Sequence, residues 1–468
     1  MRYDTLIING TAVIPALGEV KADIALAGGR IAALLSPGLP VEAAEVIDAA
    51  GKFILPGAID PHVHMARTGA PYDEYETETR SAAIGGVTTY FNFLRRPRPL
   101  DESFREEVAA GEERAFVDFA LHFGALTEQQ VADLPYYVEQ FGTTSFKYHL
   151  NYRFKKEPNH EGFRSTDDGL FYDLLCQAAR LPGVTVSVHC ETGEIPWRLE
   201  ERVRASGAEG PAAWDAARPP CVEGNAVRTA CYLAGATGAG LYVVHMSTRD
   251  GLDEVRRARL VNRAPVYVET CPQYFTLDVD SIARPTQKVP PVRTKEHAEA
   301  LWEGILDGTV DTIATDHGSR RKQGGDHPSV WEVGPSFPGI ATMLPLLLSE
   351  GVHKRGLSLK RVAELTSYNA ARIFNLFPRK GTIQVGSDAD LAIVDLNQER
   401  TVDWRDLQSN SDFSLWQGWQ VKGWPVRTLV RGRTVMLDGQ IVGPKGYGRY
   451  QRRDLPSLQR IPVRTRAL

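Results

Sequence analysis

Between Ala58 and residue 378 the sequence alternates short apolar runs with longer stretches of helical character, and the alternation repeats eight times. The runs are AIDPHVH, TTYFNF, FVDFALHF, TSFKYHL, VTVSVHC, LYVVHMS, VYVETC and DTIATDH. Strands buried on both faces read as short, nearly continuous apolar runs. The stretches around Glu102–Arg114, Asp167–Ala179, Gly224–Ala236 and Glu296–Leu306 are long enough to return the chain between parallel strands. Eight such units predict an α/β fold, a (β/α)8 TIM-like barrel. A barrel of this kind takes about 250 residues, so a chain of 468 residues carries something more.

The remainder lies at the two ends. The first 55 residues read as short strands between turns (TLIING, AVIPA, ADIALAGGRIAAL, EVIDAAGKFIL), the pattern of a small antiparallel sheet. After Arg379 the same style returns in GTIQVGSDADLAIVDL and VRTLVRGRTVMLDGQIVG. The likeness predicts a discontinuous β-sandwich domain from residues 1–55 and 379–445, a catalytic barrel at 56–378, and a tail at 446–468 available for contacts between subunits. Two glycine-rich stretches carry no cofactor signal. GATGAG at Gly235–Gly240 precedes a strand, whereas a dinucleotide loop follows one, so it reads as a helix stop; KGYGRY near the C-terminus is a turn.

Charge and composition exclude several classes. Lys and Arg number 54 against 58 Asp and Glu, a net charge of −4, without the basic excess of a nucleic-acid-binding chain. The longest uncharged apolar stretches, such as Met343–Leu348, fall far short of the roughly 20 residues of a membrane span. The start, MRYDTLIING, lacks a signal-peptide pattern. Five cysteines without a CxxC pair fit a reducing compartment. A cytoplasmic protein without nucleic-acid or membrane partners is expected.

Barrel enzymes carry their chemistry at the C-terminal ends of the strands. The first run ends in Asp60-Pro61-His62-Val63-His64, and residues i and i+2 of a strand face the same way. The fifth and sixth runs end at His189 and His245, and the eighth reaches Asp316. Any one of these is more often structural than functional. Four imidazoles and a carboxylate converging on one barrel mouth suit one or two divalent transition metals. Lys147 stands mid-run in SFKYHL, where burial among metals disfavours an ammonium. A neutral amine there can take up CO2 and become a carbamate, an anion able to bridge two ions.

These residues sit in long ordered blocks: PGAIDPHVH, SFKYHLNY, VHCE, LYVVHMS, ETCPQYF, VPPVR, ATDH and TSYNAARIFNLFPRKGTIQVGSDADLAIVD. Together they resemble the cyclic amidohydrolases of the amidohydrolase superfamily, in the hydantoinase/dihydropyrimidinase group and near the allantoinases. The resemblance implies that His62, His64 and Asp316 hold one ion and His189 and His245 a second, with Lys147 as the carboxylated (N6-carboxylysine) bridge. It implies zinc by default, with manganese or cobalt as alternatives, and a bridging hydroxide that opens the C–N bond of a cyclic amide or ureide. Asp316 is then the base that passes a proton to the leaving nitrogen, and Tyr152, five residues after the lysine, steadies the developing oxyanion. Main-chain groups at Val289 and around Pro335–Gly339 are expected to hold the substrate. The resemblance also implies a homo-oligomer, a tetramer.

Relatives diverge at informative places. Dihydroorotases carry an arginine two residues after the second metal histidine; here that position is Ala66, with Arg67 one step late, and a one-residue slip turns a side chain to the other face. Dihydroorotase therefore ranks well below hydantoinase, and an allantoinase or dihydroorotase-like cyclic amidase is the alternative. A non-catalytic dihydropyrimidinase-like scaffold, the reading of another class, would have lost ligands, and every ligand position is filled. Basic residues also crowd the loops expected at the mouth: Arg95, Arg96, Arg98, Arg153, Lys155, Lys156, Arg164, Arg249, Arg320, Arg321 and Lys322, 11 against three acidic residues. They are expected either to serve subunit contacts or to form an electropositive funnel for an anionic ring.

Overall fold

The computed structural model describes residues 2–66, 72–152, 166–282, 289–322 and 329–455. Its strands are β1 (Tyr3–Ile8), β2 (Thr11–Ile14), β3 (Gly18–Lys21), β4 (Asp23–Ala27), β5 (Arg30–Leu35), β6 (Ala43–Asp48), β7 (Phe53–Pro56), β8 (Ala58–Val63), β9 (Val87–Leu94), β10 (Asp118–Gly124), β11 (Ser145–His149), β12 (Thr185–His189), β13 (Gly240–Met246), β14 (Val266–Thr270), β15 (Thr312–Ile313), β16 (Leu391–Thr401), β17 (Gln420–Val430), β18 (Arg433–Leu437) and β19 (Gln440–Ile441). β8 to β15 form one eight-stranded sheet in sequence order, each neighbouring pair parallel. All eight apolar runs are barrel strands. β9, β10, β11 and β12 are buried along their whole length, which is why their sequences do not alternate.

The four expected helical stretches are the helices Asp101–Arg114, Asp168–Ala179, Pro220–Thr237 and Lys295–Asp307. Asp167 starts one of them by accepting a hydrogen bond from the Leu170 amide at 2.9 Å, and Thr248 does the same for helix Arg249–Val261 through Gly251 at 3.1 Å. Gly238, at φ +81°, ends helix Pro220–Thr237 inside the GATGAG stretch, two residues before β13 begins.

β15 is only two residues long, so the ring closes by other means. The His64 amide donates to the His317 carbonyl at 2.7 Å, and the His317 amide donates to the His62 carbonyl at 3.3 Å. The seam of the barrel is therefore made by the HVH and TDH runs themselves.

The chain ends do share a sheet. β7 and β2 from the start join β16 to β19 from the end in the seven-stranded order β19-β18-β17-β16-β7-β2-β3, while β5-β4-β1-β6 forms a separate four-stranded sheet. Ile7, Ile24, Ile31, Ile54, Ile393 and Leu429 belong to the apolar cluster of these strands, and each such burial is worth roughly 1.5–3 kcal/mol. The expectation of an antiparallel sheet is corrected: β1 pairs with β6, and β2 with β7, in parallel. Alternation sets which face of a strand is buried but not its partner, and the β4–β5 hairpin, turning at Gly28 and Gly29 (φ +58° and +77°), lies between β1 and β6 in the chain. The GEVK stretch adds β3, and Thr382–Val385 is not a strand.

Lys380 ties the barrel to the stretch that leads into β16. It is fully buried, 2.8 Å from Asp118 of β10 and 3.1 Å from Asp388, and also contacts Asp390; Arg431 binds Asp118 as well. Gly57, where the chain enters the barrel, leaves no room for a Cβ, which would lie 2.3 Å from Thr88. The tail folds back on its own barrel as far as it is described. The Phe119 amide of β10 donates to the Arg449 carbonyl and its carbonyl accepts from the Gln451 amide, and buried Arg453 donates to Ser145 Oγ at 2.7 Å and to the Leu121 carbonyl at 2.5 Å. Residues 456–468 lie outside the described residues. Among the described residues no helix is long and apolar enough to cross a membrane.

Candidate metal centre and active site

Three donor atoms meet where the barrel closes. His62 Nε2, His64 Nε2 and Asp316 Oδ1 lie 3.3, 3.2 and 3.0 Å apart in pairs. Ligands placed tetrahedrally at about 2.0–2.1 Å from a zinc-sized ion stand about 3.3–3.4 Å from one another, so the triangle fits one ion. Hydrogen bonding alone fits it poorly. His62 Nδ1 lies 2.6 Å from Glu269 Oε1, and a carboxylate accepts, so in the neutral ring Nε2 is a bare lone pair. That lone pair faces Asp316 Oδ1 and His64 Nε2, an arrangement that a cation between them would satisfy.

A second group adjoins the first. His245 Nε2 lies 2.8 Å from His189 Nδ1, and the His62 and His245 rings are 5.4 Å apart. The outer nitrogen of His189 points toward Glu191, at 3.8 Å. Lys147 is 1% exposed, and its Nζ makes no hydrogen bond; it lies 4.8 Å from the centre of the Phe93 ring, which also stacks on His64. Burial pushes its amine down to about 7. A buried amine with no hydrogen bond, beside two imidazoles, fits a group that becomes anionic on modification.

Backbone strain marks the same place. His245 and Asp316 adopt φ +42° and +50°, a region costly for residues with a Cβ, at the ends of β13 and of the last apolar run. The exit from β13 is fastened by buried Glu223, which accepts from the Ser247 amide at 3.1 Å and from Thr248 Oγ1.

With this geometry in view the comparisons are specific. Residues 53–435 match the model of the amidohydrolase family. The chain belongs to that family. A D-hydantoinase of Geobacillus stearothermophilus is 34% identical over 96% of both chains, and an L-hydantoinase of Paenarthrobacter aurescens is 33% identical over 95% of this chain and 97% of its own. Among solved structures, a D-hydantoinase matches with a TM-score of 0.87 at 34% identity, covering 96% of this chain and 98% of the other. A dihydropyrimidinase from Brevibacillus agri matches with a TM-score of 0.87 at 31% identity, covering 97% and 99%.

The remaining expected site residues of this amidohydrolase are less uniform. Tyr152 is buried, its ring 4.7 Å from that of His149 and parallel to within 2°. Val289 precedes Pro290, whose carbonyl accepts from Tyr274 OH at 3.0 Å. The Gly339 amide donates to His317 Nδ1 at 3.2 Å, and Ser336 Oγ donates to the Gly318 carbonyl, so the Pro335–Gly339 loop is tied to the strand end that carries Asp316.

Glu269 was not singled out by sequence, although it stands in VYVETC near the C-terminal end of a barrel strand. It accepts from His62 Nδ1, from the His245 amide at 2.9 Å and from Tyr242 OH at 2.8 Å, holding one histidine of each group. The basic rim narrows on inspection. Arg96 pairs with Glu107 at 2.9 Å, Arg98 with Glu102 at 3.4 Å and Arg249 with Glu303 at 3.0 Å. Arg67, Arg153, Lys155, Lys156 and Arg164 lie outside the described residues. Arg95, 4% exposed, is the member of the set buried beside the histidines.

Proposed function

We propose that the chain is a metal-dependent cyclic amidohydrolase that hydrolyses the C–N bond of a hydantoin- or dihydropyrimidine-type ring. The observation that carries the reading is the His62–His64–Asp316 triangle, whose spacing fits one ion, next to a histidine pair and a buried lysine amine that makes no hydrogen bond. The names and near-complete coverage of the hydantoinase relatives support the ring substrate.

In this reading His62, His64 and Asp316 hold one divalent ion, and His189 and His245 a second. Lys147, carboxylated by CO2, would be their shared anionic ligand. When bound, such ions lower the pKa of water to about 7 and polarise a carbonyl. Asp316 accepts the proton of the attacking water and returns it to the ring nitrogen as that nitrogen leaves, which lets one carboxylate serve both halves of the reaction. Tyr152 donates to the oxygen that gains charge. Glu269 fixes the tautomer of His62, so that its lone pair faces inward. Zinc, a homotetramer and a cytoplasmic location belong to the same proposal.

The test is ring opening of hydantoin and dihydrouracil by wild type and Asp316→Asn, with metal content measured on the same samples. The proposal expects wild type to produce the N-carbamoyl acid, and the variant to lose at least about 10²-fold in kcat, the usual contribution of a positioned acid–base group. A fully active Asp316→Asn enzyme would refute the assignment.

A further inference from the structure

The segment that follows the small domain is wedged between two barrel strands. β10 and β11 pair with each other at Phe123–Phe146 and Gly124–Lys147, the last two residues of β10. Nearer the start of β10 its edge is taken by the tail instead, through a parallel bridge between Phe119 and Tyr450. Arg453 therefore enters where the two strands part. Its amide donates to the Gly142 carbonyl at 3.0 Å, and its buried guanidinium lies over the Phe91 ring, 5.1 Å from the centre. It bonds both strands, donating to the Leu121 carbonyl of β10 and to Ser145 Oγ of β11.

From Arg453 a line of hydrogen bonds runs through fully buried side chains to the strand that carries His62, and its direction is fixed at every step. Arginine only donates, so Ser145 Oγ accepts from Nη1 at 2.7 Å. Ser145 Oγ lies 2.5 Å from His122 Nδ1, and His122 Nε2 lies 2.9 Å from the Pro61 carbonyl. A carbonyl only accepts, so His122 carries its proton on Nε2, and its Nδ1 accepts from the serine hydroxyl. Burial drives this imidazole well below its ordinary pKa, which keeps it neutral. Pro61 lies where β8 shifts register against β9, between Asp60 and Val63. Such a bulge re-aims side chains, and proline suits one because it has no N–H to give to the ladder. The bulge is held on one side by His122, at the Pro61 carbonyl, and on the other by Asp60 Oδ1, which accepts from the His62 amide at 3.2 Å. The His122 ring also stacks on Phe93, and Phe93 on His64.

We propose that Arg453 is a positioning residue for the metal centre: through Ser145 and His122 it sets the Pro61–His62 bulge, so that the aim of His62 and His64 depends on the docking of the C-terminal segment between β10 and β11. This rests on the reading of His62 and His64 as ligands of a divalent ion, and adds to it the part of the chain that sets their geometry. Without the Arg453 and Ser145 hydroxyl bonds, His122 Nδ1 loses its donor, and nothing but packing holds the ring in the orientation that serves Pro61.

The experiment titrates full-length apo-protein with Co2+ against a competing chelator, for wild type, Arg453→Met, Arg453→Lys and Ser145→Ala, and records the cobalt absorption spectrum at saturation and the Tm of each apo-protein. The proposal expects Arg453→Met and Ser145→Ala to bind cobalt about 3- to 10-fold more weakly, the worth of one hydrogen bond, with the saturated spectrum shifted from that of wild type. Arg453→Lys keeps a donor for Ser145 and should recover the wild-type spectrum. If Arg453→Met does not fold, Ser145→Ala, which leaves the tail in place, decides alone. Variants with a lowered Tm but the affinity and saturated spectrum of wild type would overturn the proposal, since that is the mark of a merely structural role. A wild type that takes up no cobalt would instead overturn the ligand reading on which it rests.

Discussion

Glu269→Gln separates the shape of the Glu269 site from its charge. Glu269 is fully buried and accepts from His62 Nδ1 at 2.6 Å, the His245 amide at 2.9 Å and Tyr242 OH at 2.8 Å. A glutamine fills the same volume and keeps one acceptor oxygen, but it gives up the carboxylate that orients His62. A hydrogen bond to a charged group contributes about 1.5–3 kcal/mol, which at about 1.4 kcal/mol per decade is one to two powers of ten in affinity. Replacing the partner of a metal-binding histidine typically weakens binding by about 10- to 100-fold, so two independent routes give the same range. The assay is a competition titration of apo-protein with a chelator of known zinc affinity, accompanied by the cobalt absorption spectrum as a readout of coordination. The expected result is a 10- to 100-fold weaker first ion with an altered spectrum. Affinity within threefold of wild type, with an unchanged spectrum, would refute the idea that Glu269 holds His62 in its ligating tautomer.

Two further outcomes are expected away from the mouth. Lys380→Met removes the cation among Asp118, Asp388 and Asp390 and leaves Asp388 and Asp390 uncompensated while Arg431 still pairs with Asp118, so urea unfolding should register a loss of about 3–5 kcal/mol; a neutral result would mean the clamp is dispensable. Glu78 is driven up by burial, but bonds from His317, Ser409 and the Asn410 amide hold it below its ordinary 4.5. It therefore contributes stability that is present above pH 4.5 and is lost as pH falls through its lower folded value. Below pH 4.5 the Tm of wild type should fall more steeply than that of Glu78→Gln, and parallel curves would exclude the contribution.

The barrel was legible because its strands are buried on both faces and announce themselves as apolar runs, and because a histidine or aspartate interrupting such a run stands out. His62, His64, His189, His245 and Asp316 were singled out that way, and the fold brings them together. Glu269 obeys the same rule and was passed over, since a lone acid near a strand end resembles a solvated one until Tyr242 and His62 are seen to close on it. Arg95 was visible only as one basic residue among many. Its pairing with His149 spans an intermediate strand and depends on Gly124 having no side chain, a three-body relation that no local pattern records. In the small domain, alternation marked the strands but could not disclose that β1 returns to pair in parallel with β6. Lys380 is hidden for a similar reason, because one of its three aspartates, Asp118, comes from a distant barrel strand.

The most direct test of the account is the number of ions per chain, measured by mass spectrometry of elements in protein reconstituted with zinc and bicarbonate, for wild type and Lys147→Ala. The account predicts two ions per wild-type chain, hydantoin-opening activity that disappears with chelation and returns with metal, and a Lys147→Ala chain that loses ions and activity together. A metal-free wild type that still opens the ring, or a Lys147→Ala chain holding two ions at full activity, would contradict it.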